Sequence, residues 1–213
     1  MDTVALAVGP VAVVCYLAMA TVHAWLRSNG RSRRAFAAPR ALAVIEAVAA
    51  VALATAAWMI VRRVAPGGDQ DLSRLASLSP QVLTAWESVA LWCGLAAVVG
   101  QVAPVWWGFR NGGDGLAPAA GLLAAYAPVP LLLAVGSASL TAIASRRRDL
   151  TLAIGLVGLV AFEWLGWWAD WPSSWGSTNG PELTLWSAVL AGVLFAAGRR
   201  EQAPAAEGPS ADG

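Results

Sequence analysis

Lysine is missing from this 213-residue chain, so all fourteen basic side chains are arginines. Charge of either sign is scarce: 13% of residues are ionic, against about 25% in soluble domains. With 58% hydrophobic residues and a mean hydropathy of +0.60, that scarcity excludes a soluble globular domain and marks an integral membrane protein. Cysteine is almost absent. Cys15 and Cys93 both lie inside apolar runs, with no spacing for a disulfide framework or a metal site, and read as small buried hydrophobes. The first apolar run lacks the cationic start of a cleavable signal, carrying Asp2 instead, and is read as a retained span. No repeat of fixed period occurs. The net charge of +1 says nothing about partners; the placement of the arginines says more.

Apolar runs long enough for a bilayer, which takes about 20 residues, occupy Thr3–Leu26, Ala41–Val61, Val82–Ala103, Leu150–Trp168 and Glu182–Ala197. Residues 27–40 between the first two form a loop holding Arg27, Arg31, Arg33, Arg34 and Arg40. The run from Leu116 to Ser145 is interrupted by Pro128 and Pro130, and a proline removes a backbone donor and clashes with the preceding helical turn. If Pro128 marks a turn, the chain has seven spans. One side then holds eleven arginines (the five of the first loop, Arg110, Arg146, Arg147, Arg148, Arg199 and Arg200) and the other only Arg62, Arg63 and Arg74. A single span there gives six against eight. Cytoplasmic loops collect Lys and Arg, so seven spans are expected, with the N-terminus outside and the C-terminus in the cytoplasm. The fourth, Leu116–Ala127, is then only about 18 Å long at 1.5 Å per residue, a half-helix broken at Pro128. The expected fold is an all-α integral membrane protein forming a single membrane domain over residues 1–198, with a disordered cytoplasmic tail over 199–213. Trp164, Trp167, Trp168, Trp171 and Trp175 form an aromatic belt at the outer interface. His23, Glu46 and Gln101 fall in the cytoplasmic halves of their spans, where His23 and Glu46 are expected to satisfy each other or to snorkel, with acid–base work as the alternative. Glu87 and Glu163 fall in the outer halves, where they are expected to snorkel.

The polar stretch PVWWGFRNGGDG at residues 104–115 separates two apolar runs and ends where the half-helix begins. Gly112, Gly113 and Gly115 let backbone N–H groups turn inward as a concave nest, and the adjoining helix adds its positive dipole end. Such a loop suits an anion, most naturally a phosphate. A tight turn between two membrane helices is the alternative reading of the loop alone.

The stretch from Gly100 to Gly121 resembles the second motif of the bacterial acyl-phosphate:glycerol-3-phosphate acyltransferases, the PlsY type. Gly100, Pro104, Phe109, Arg110, Gly112, Gly113, Gly115, Ala117 and the later pair Ala127 and Pro128 fit the family pattern. The resemblance is concentrated in residues 83–152, and seven spans agree with it. The departures concern polar positions. Gln101 stands where the family has His, Asp114 where it has Lys, and Pro118 where it has Thr, and Asn111 resembles an insertion. The family's first motif survives as Ser28, Asn29 and Gly30 among arginines. Glu46 stands at the start of a second-span motif whose Lys is gone.

The resemblance implies transfer of an acyl group from acyl phosphate to the 1-hydroxyl of glycerol 3-phosphate in phospholipid synthesis, at a bacterial inner membrane. It implies no cofactor and no metal; membrane lipids are the remaining partners, and no nucleic acid is expected. Both substrates are anionic, and the donor brings its own leaving group, so positioning and charge stabilisation carry the rate. The implied substrate-binding residues are Ser28, Asn29, Arg31, Arg33, Arg34, Arg110, Asn111, Gly112, Gly113, Asp114 and Gly115. No catalytic residue is assigned, since Gln101 replaces the family His. The arginines of the first loop serve equally as a topology and headgroup signal. Asp114 opposes phosphate binding: two like charges 4 Å apart repel by roughly 4 kcal/mol at an effective dielectric near 20. The rival class is therefore a non-catalytic relative that keeps the fold and binds a lipid or partner. A small transporter is a third reading, disfavoured because the charged residues do not line one path.

Overall fold

The computed structural model describes residues 3–30, 39–64, 85–109, 112–171 and 181–202. Among them are seven α-helices and one 3₁₀ turn, with no strand: α1 (Thr3–Gly30), α2 (Pro39–Val64), α3 (Ala85–Val102), the turn Val105–Trp107, α4 (Leu116–Tyr126), α5 (Pro128–Ser145), α6 (Arg148–Trp168) and α7 (Pro181–Gln202). Six are long and apolar enough to cross a membrane, and α4 is the short one. Its eleven residues rise only about 16 Å. α4 stops because Pro128 takes the first position of α5, where its missing N–H costs nothing. The expected break at Pro128 is present.

The helix ends differ from the sequence reading. α1 runs on to Gly30 and α2 begins at Pro39, so Arg27, Ser28 and Asn29 belong to a helix rather than to a 27–40 loop. Backbone hydrogen bonding continues past the last apolar residue, because polar side chains beyond the hydrocarbon layer do not end a helix. α7 likewise extends to Gln202, past Arg199, where the tail was expected to start. Residues 203–213 lie outside the described residues.

α3 is the hub. It packs against α1, α2, α4 and α7, and 72% of its span is buried, against at most 33% of any other. One apolar cluster joins Leu91, Val98, Leu122, Trp186 and Leu190 around it. A second, with Cys15, Ala57, Val61, Val89 and Cys93, fills the contact with α1 and α2; both cysteines are free and buried, as expected. Side chains such as Leu132, Leu140, Ile143 and Val157 point outward, the arrangement for lipid contact. Trp164 and Trp168 are also exposed, and Trp175 lies outside the described residues.

Two contacts set the neighbourhood of the site. α2 and α4 approach closely at Gly121, where an added Cβ would sit 2.6 Å from the Ala47 carbonyl oxygen. Small residues allow such approaches in membranes. The 3₁₀ turn is tied to α1 by Trp106 Nε1, which donates to Thr21 Oγ1 (3.2 Å), while the Tyr16 hydroxyl of α1 donates to the Ala103 carbonyl (2.7 Å).

Candidate functional site

Three helices bring their polar residues to one point. Glu46 of α2 accepts from His23 Nδ1 of α1 at 2.6 Å and from Gln101 Nε2 of α3 at 2.6 Å. All three side chains are buried. A carboxylate only accepts hydrogen bonds, so it holds the proton on Nδ1 and turns the amide NH₂ of Gln101 toward itself. The pairing expected for His23 and Glu46 is present, and Gln101 completes it. His23 Nε2 and Gln101 Oε1 have no hydrogen-bond partner. The His23 ring meets Trp107 edge-on, with centroids 5.7 Å apart, and the Arg27 guanidinium lies over the same indole at 5.6 Å.

The glycine loop closes over this group. Gly113 N–H donates to the Gln101 carbonyl (2.9 Å), folding the loop back on the end of α3. A Cβ at Gly113 would fall 2.8 Å from Gln101 Nε2 and 3.2 Å from His23 Cε1, so any side chain there would displace the Gln101 amide. Gly112 packs as tightly against the Val102 carbonyl. Gly115 takes a left-handed backbone (φ 75°) where α4 begins, a conformation that favours glycine. Asp114 Oδ1 accepts the Leu116 N–H (3.1 Å). Two amides around the expected nest, those of Gly113 and Leu116, are therefore engaged within the protein.

A cavity of about 570 Å³ lies beside the loop, lined by His23, Arg27, Glu46, Gln101, Asp114 and Leu116 among others. On the other side of Leu116 is an apolar groove of about 300 Å³ between α4, α5 and α6, running from Arg148 and Thr151 down to Leu159. Leu116 belongs to both walls. Along α6 the groove runs from Arg148 to Leu159, a rise of about 16 Å.

Of the residues singled out in the sequence, Gln101, Gly113 and Asp114 line the polar cavity. Ser28 is exposed, with its hydroxyl bonded to the Trp25 carbonyl one turn back (2.9 Å). Asn29 lies in the last turn of α1. Arg31, Arg33, Arg34, Arg110 and Asn111 lie outside the described residues, as does the Glu87 side chain. Sequence reasoning counted Arg27 among the arginines of the first loop but left it out of the named substrate-binding residues. Its position one helical turn after His23 was the available signal. Glu163 corrects an expectation. It is 1% exposed, and neither carboxylate oxygen has a partner, so it does not snorkel. It points into the bundle on the same face of α6 as Leu159 and Gly166.

A family model described as Glycerol-3-phosphate acyltransferase matches residues 72–203. No curated protein and no solved structure matches the chain. The matched stretch takes in the hub helix, the glycine loop, the half-helix and the groove behind it, which is most of the chain and all of the bipartite site except the residues from α1 and α2. On that match the chain belongs to the glycerol-3-phosphate acyltransferase family.

Proposed function

We propose that the protein transfers an acyl group from an acyl phosphate to the 1-hydroxyl of glycerol 3-phosphate, releasing lysophosphatidic acid and inorganic phosphate. The observation that supports this reading is the junction at Leu116, where a polar cavity and an apolar groove share one wall. A donor with a charged head and a hydrocarbon tail spans such a junction with its reactive carbonyl at the boundary. Phosphate is a good leaving group, so no covalent enzyme intermediate is needed, and placement of the two substrates lowers the barrier. Arg27 supplies a cation in the cavity. Arg31, Arg33, Arg34 and Arg110 are proposed to close around the substrate phosphates, since guanidinium binds phosphate in bidentate fashion. The proposed setting is a bacterial inner membrane with this site on the cytoplasmic face.

A second reading rests on Asp114. Its carboxylate takes the Leu116 N–H at the start of α4, a donor that a phosphate at the helix end would use. A relative that has lost catalysis and binds a lipid or partner fits that bond. The two readings part on one experiment. Purified protein in nanodiscs is given glycerol 3-phosphate with acyl phosphate, acyl-CoA or an acylated carrier protein as donor, and lysophosphatidic acid is measured. Product from acyl phosphate alone is expected; no product from any donor, with the protein folded, selects the second reading.

A further inference from the structure

The cavity has an end that does not suit a phosphate. His23 Nε2 and Gln101 Oε1 both lack a partner, and both belong to residues more than nine-tenths buried that line the cavity. Glu46 determines what they offer. With Nδ1–H donated to Glu46 Oε1 and the Gln101 amide NH₂ donated to Glu46 Oε2, the ring nitrogen left over carries a lone pair and the amide oxygen left over is an acceptor. Two buried acceptors backed by a carboxylate repel an anion and require a donor. Among the groups of a polyol phosphate, only the hydroxyls donate. Arg27 stands four residues further along α1, about 6 Å in axial rise, which matches the separation of hydroxyl and phosphate on a three-carbon polyol phosphate.

We propose that His23 Nε2 and Gln101 Oε1 form the hydroxyl subsite of this cavity and that His23 is the general base acting on the acceptor alcohol. This rests on the acyl-transfer reading above. The acceptor oxygen attacks the acyl carbonyl carbon as its O–H bond breaks and the proton passes to His23 Nε2. The bond from the acyl carbon to the phosphate oxygen then breaks, and the electron pair leaves with phosphate. The imidazolium returns its proton to the departing phosphate, so ester and inorganic phosphate are the only products. Glu46 is a positioning residue: it fixes the tautomer that leaves Nε2 bare and stabilises the imidazolium formed in the step. Nε2 has almost no exposed surface and Gly113 lies beside the ring at Cε1, so a substrate hydroxyl reaches Nε2 by displacing that loop slightly. Catalytic hydrogen bonds commonly tighten only in the substrate complex. The charged groups facing the ring are Glu46 from α2, Arg27 from its own helix and Asp114 from the loop lining the same cavity.

The chain has a single histidine, so ring-labelled ¹⁵N-histidine reports on His23 alone in the wild-type protein in nanodiscs. Glycerol 3-phosphate is expected to shift the Nε2 resonance, while its 1-deoxy analogue and inorganic phosphate leave it unchanged. In turnover, His23→Gln is expected to lower kcat about 10²–10⁴-fold, the usual contribution of a general base, with KM for acyl phosphate kept within about twofold. An Nε2 signal indifferent to glycerol 3-phosphate, or His23→Gln at wild-type kcat, overturns the proposal. If the wild type transfers no acyl group while Nε2 still responds to glycerol 3-phosphate and not to the deoxy analogue, the hydroxyl subsite stands and the acyl-phosphate reading is the part that fails.

Discussion

Gly121→Ala tests whether the closeness of α2 and α4 holds the site together. The new methyl group would sit 2.6 Å from the Ala47 carbonyl oxygen and 2.9 Å from both its Cα and Cβ. None of these atoms is the far end of a flexible side chain, so the helices themselves must part. Reaching an ordinary 3.4 Å contact takes a separation of about 0.8 Å, and overpacking of this kind costs typically about 1–3 kcal/mol. At about 2–4 °C per kcal/mol for a chain of this size, the melting temperature should fall by roughly 2–12 °C. The effect on the site is sharper. Ala47 adjoins Glu46, whose two bonds to His23 and Gln101 are 2.6 Å long. A displacement of about 0.8 Å takes them to the edge of hydrogen-bonding range. Gly136→Ala is the control, because nothing lies within 4 Å of a Cβ there; the alanine should be neutral or stabilising by up to about 1 kcal/mol. The assay is thermal unfolding in detergent together with the ¹⁵N signal of His23. Gly121→Ala melting with Gly136→Ala, its histidine signal unchanged, would refute the argument that close packing at Gly121 positions Glu46.

Three further predictions follow from other features. Asp114→Asn keeps an oxygen for the Leu116 N–H and removes the charge, so phosphate should bind at least about tenfold tighter, a gain of about 1.4 kcal/mol; calorimetry showing an unchanged affinity would mean that phosphate does not approach this residue. Glu163→Leu replaces a buried, unpartnered carboxylate and should stabilise the protein by about 1–3 kcal/mol with acyl transfer unaffected; a loss of activity in a folded protein would show that the carboxylate serves the reaction. A reporter fused after Gly213 should score as cytoplasmic and one inserted at Pro128 as extracytoplasmic, and either result reversed would sink the arginine-based topology.

Six of the helices were legible in the sequence because each is a long apolar run punctuated by arginine or proline, and the end of the short α4 followed from the missing N–H of Pro128. Helix ends were less legible. Hydropathy reports where the hydrocarbon layer stops, whereas α1 continues through Arg27 and Ser28 to Gly30. Rotation was the least legible property. A membrane helix is apolar toward lipid and core alike, so periodicity does not tell which way a side chain faces, and Glu163, expected to snorkel, turns into the bundle instead. The meeting of Glu46 with His23 and Gln101 depends on how three helices cross. The sequence placed all three on the same side of the membrane, and only the packing showed that they share one carboxylate.

The burial of α3 bears on how the chain is made. Toward its N-terminal end, Ser88 and Trp92 donate to the Glu182 carboxylate at 2.8 and 3.0 Å, and Trp186 Nε1 donates to the Leu91 carbonyl. Those partners lie in α7, with Glu182 94 residues beyond Ser88. At a synthesis rate of about 5–20 residues per second, α3 waits roughly 5–20 seconds before its last neighbour is translated. During that interval the hub of the bundle has polar groups facing lipid or the insertion machinery. A ribosome that stalls before α7 therefore leaves behind a chain whose central helix is its least finished part, and a quality-control protease would find its signal in the middle of the protein rather than at its end.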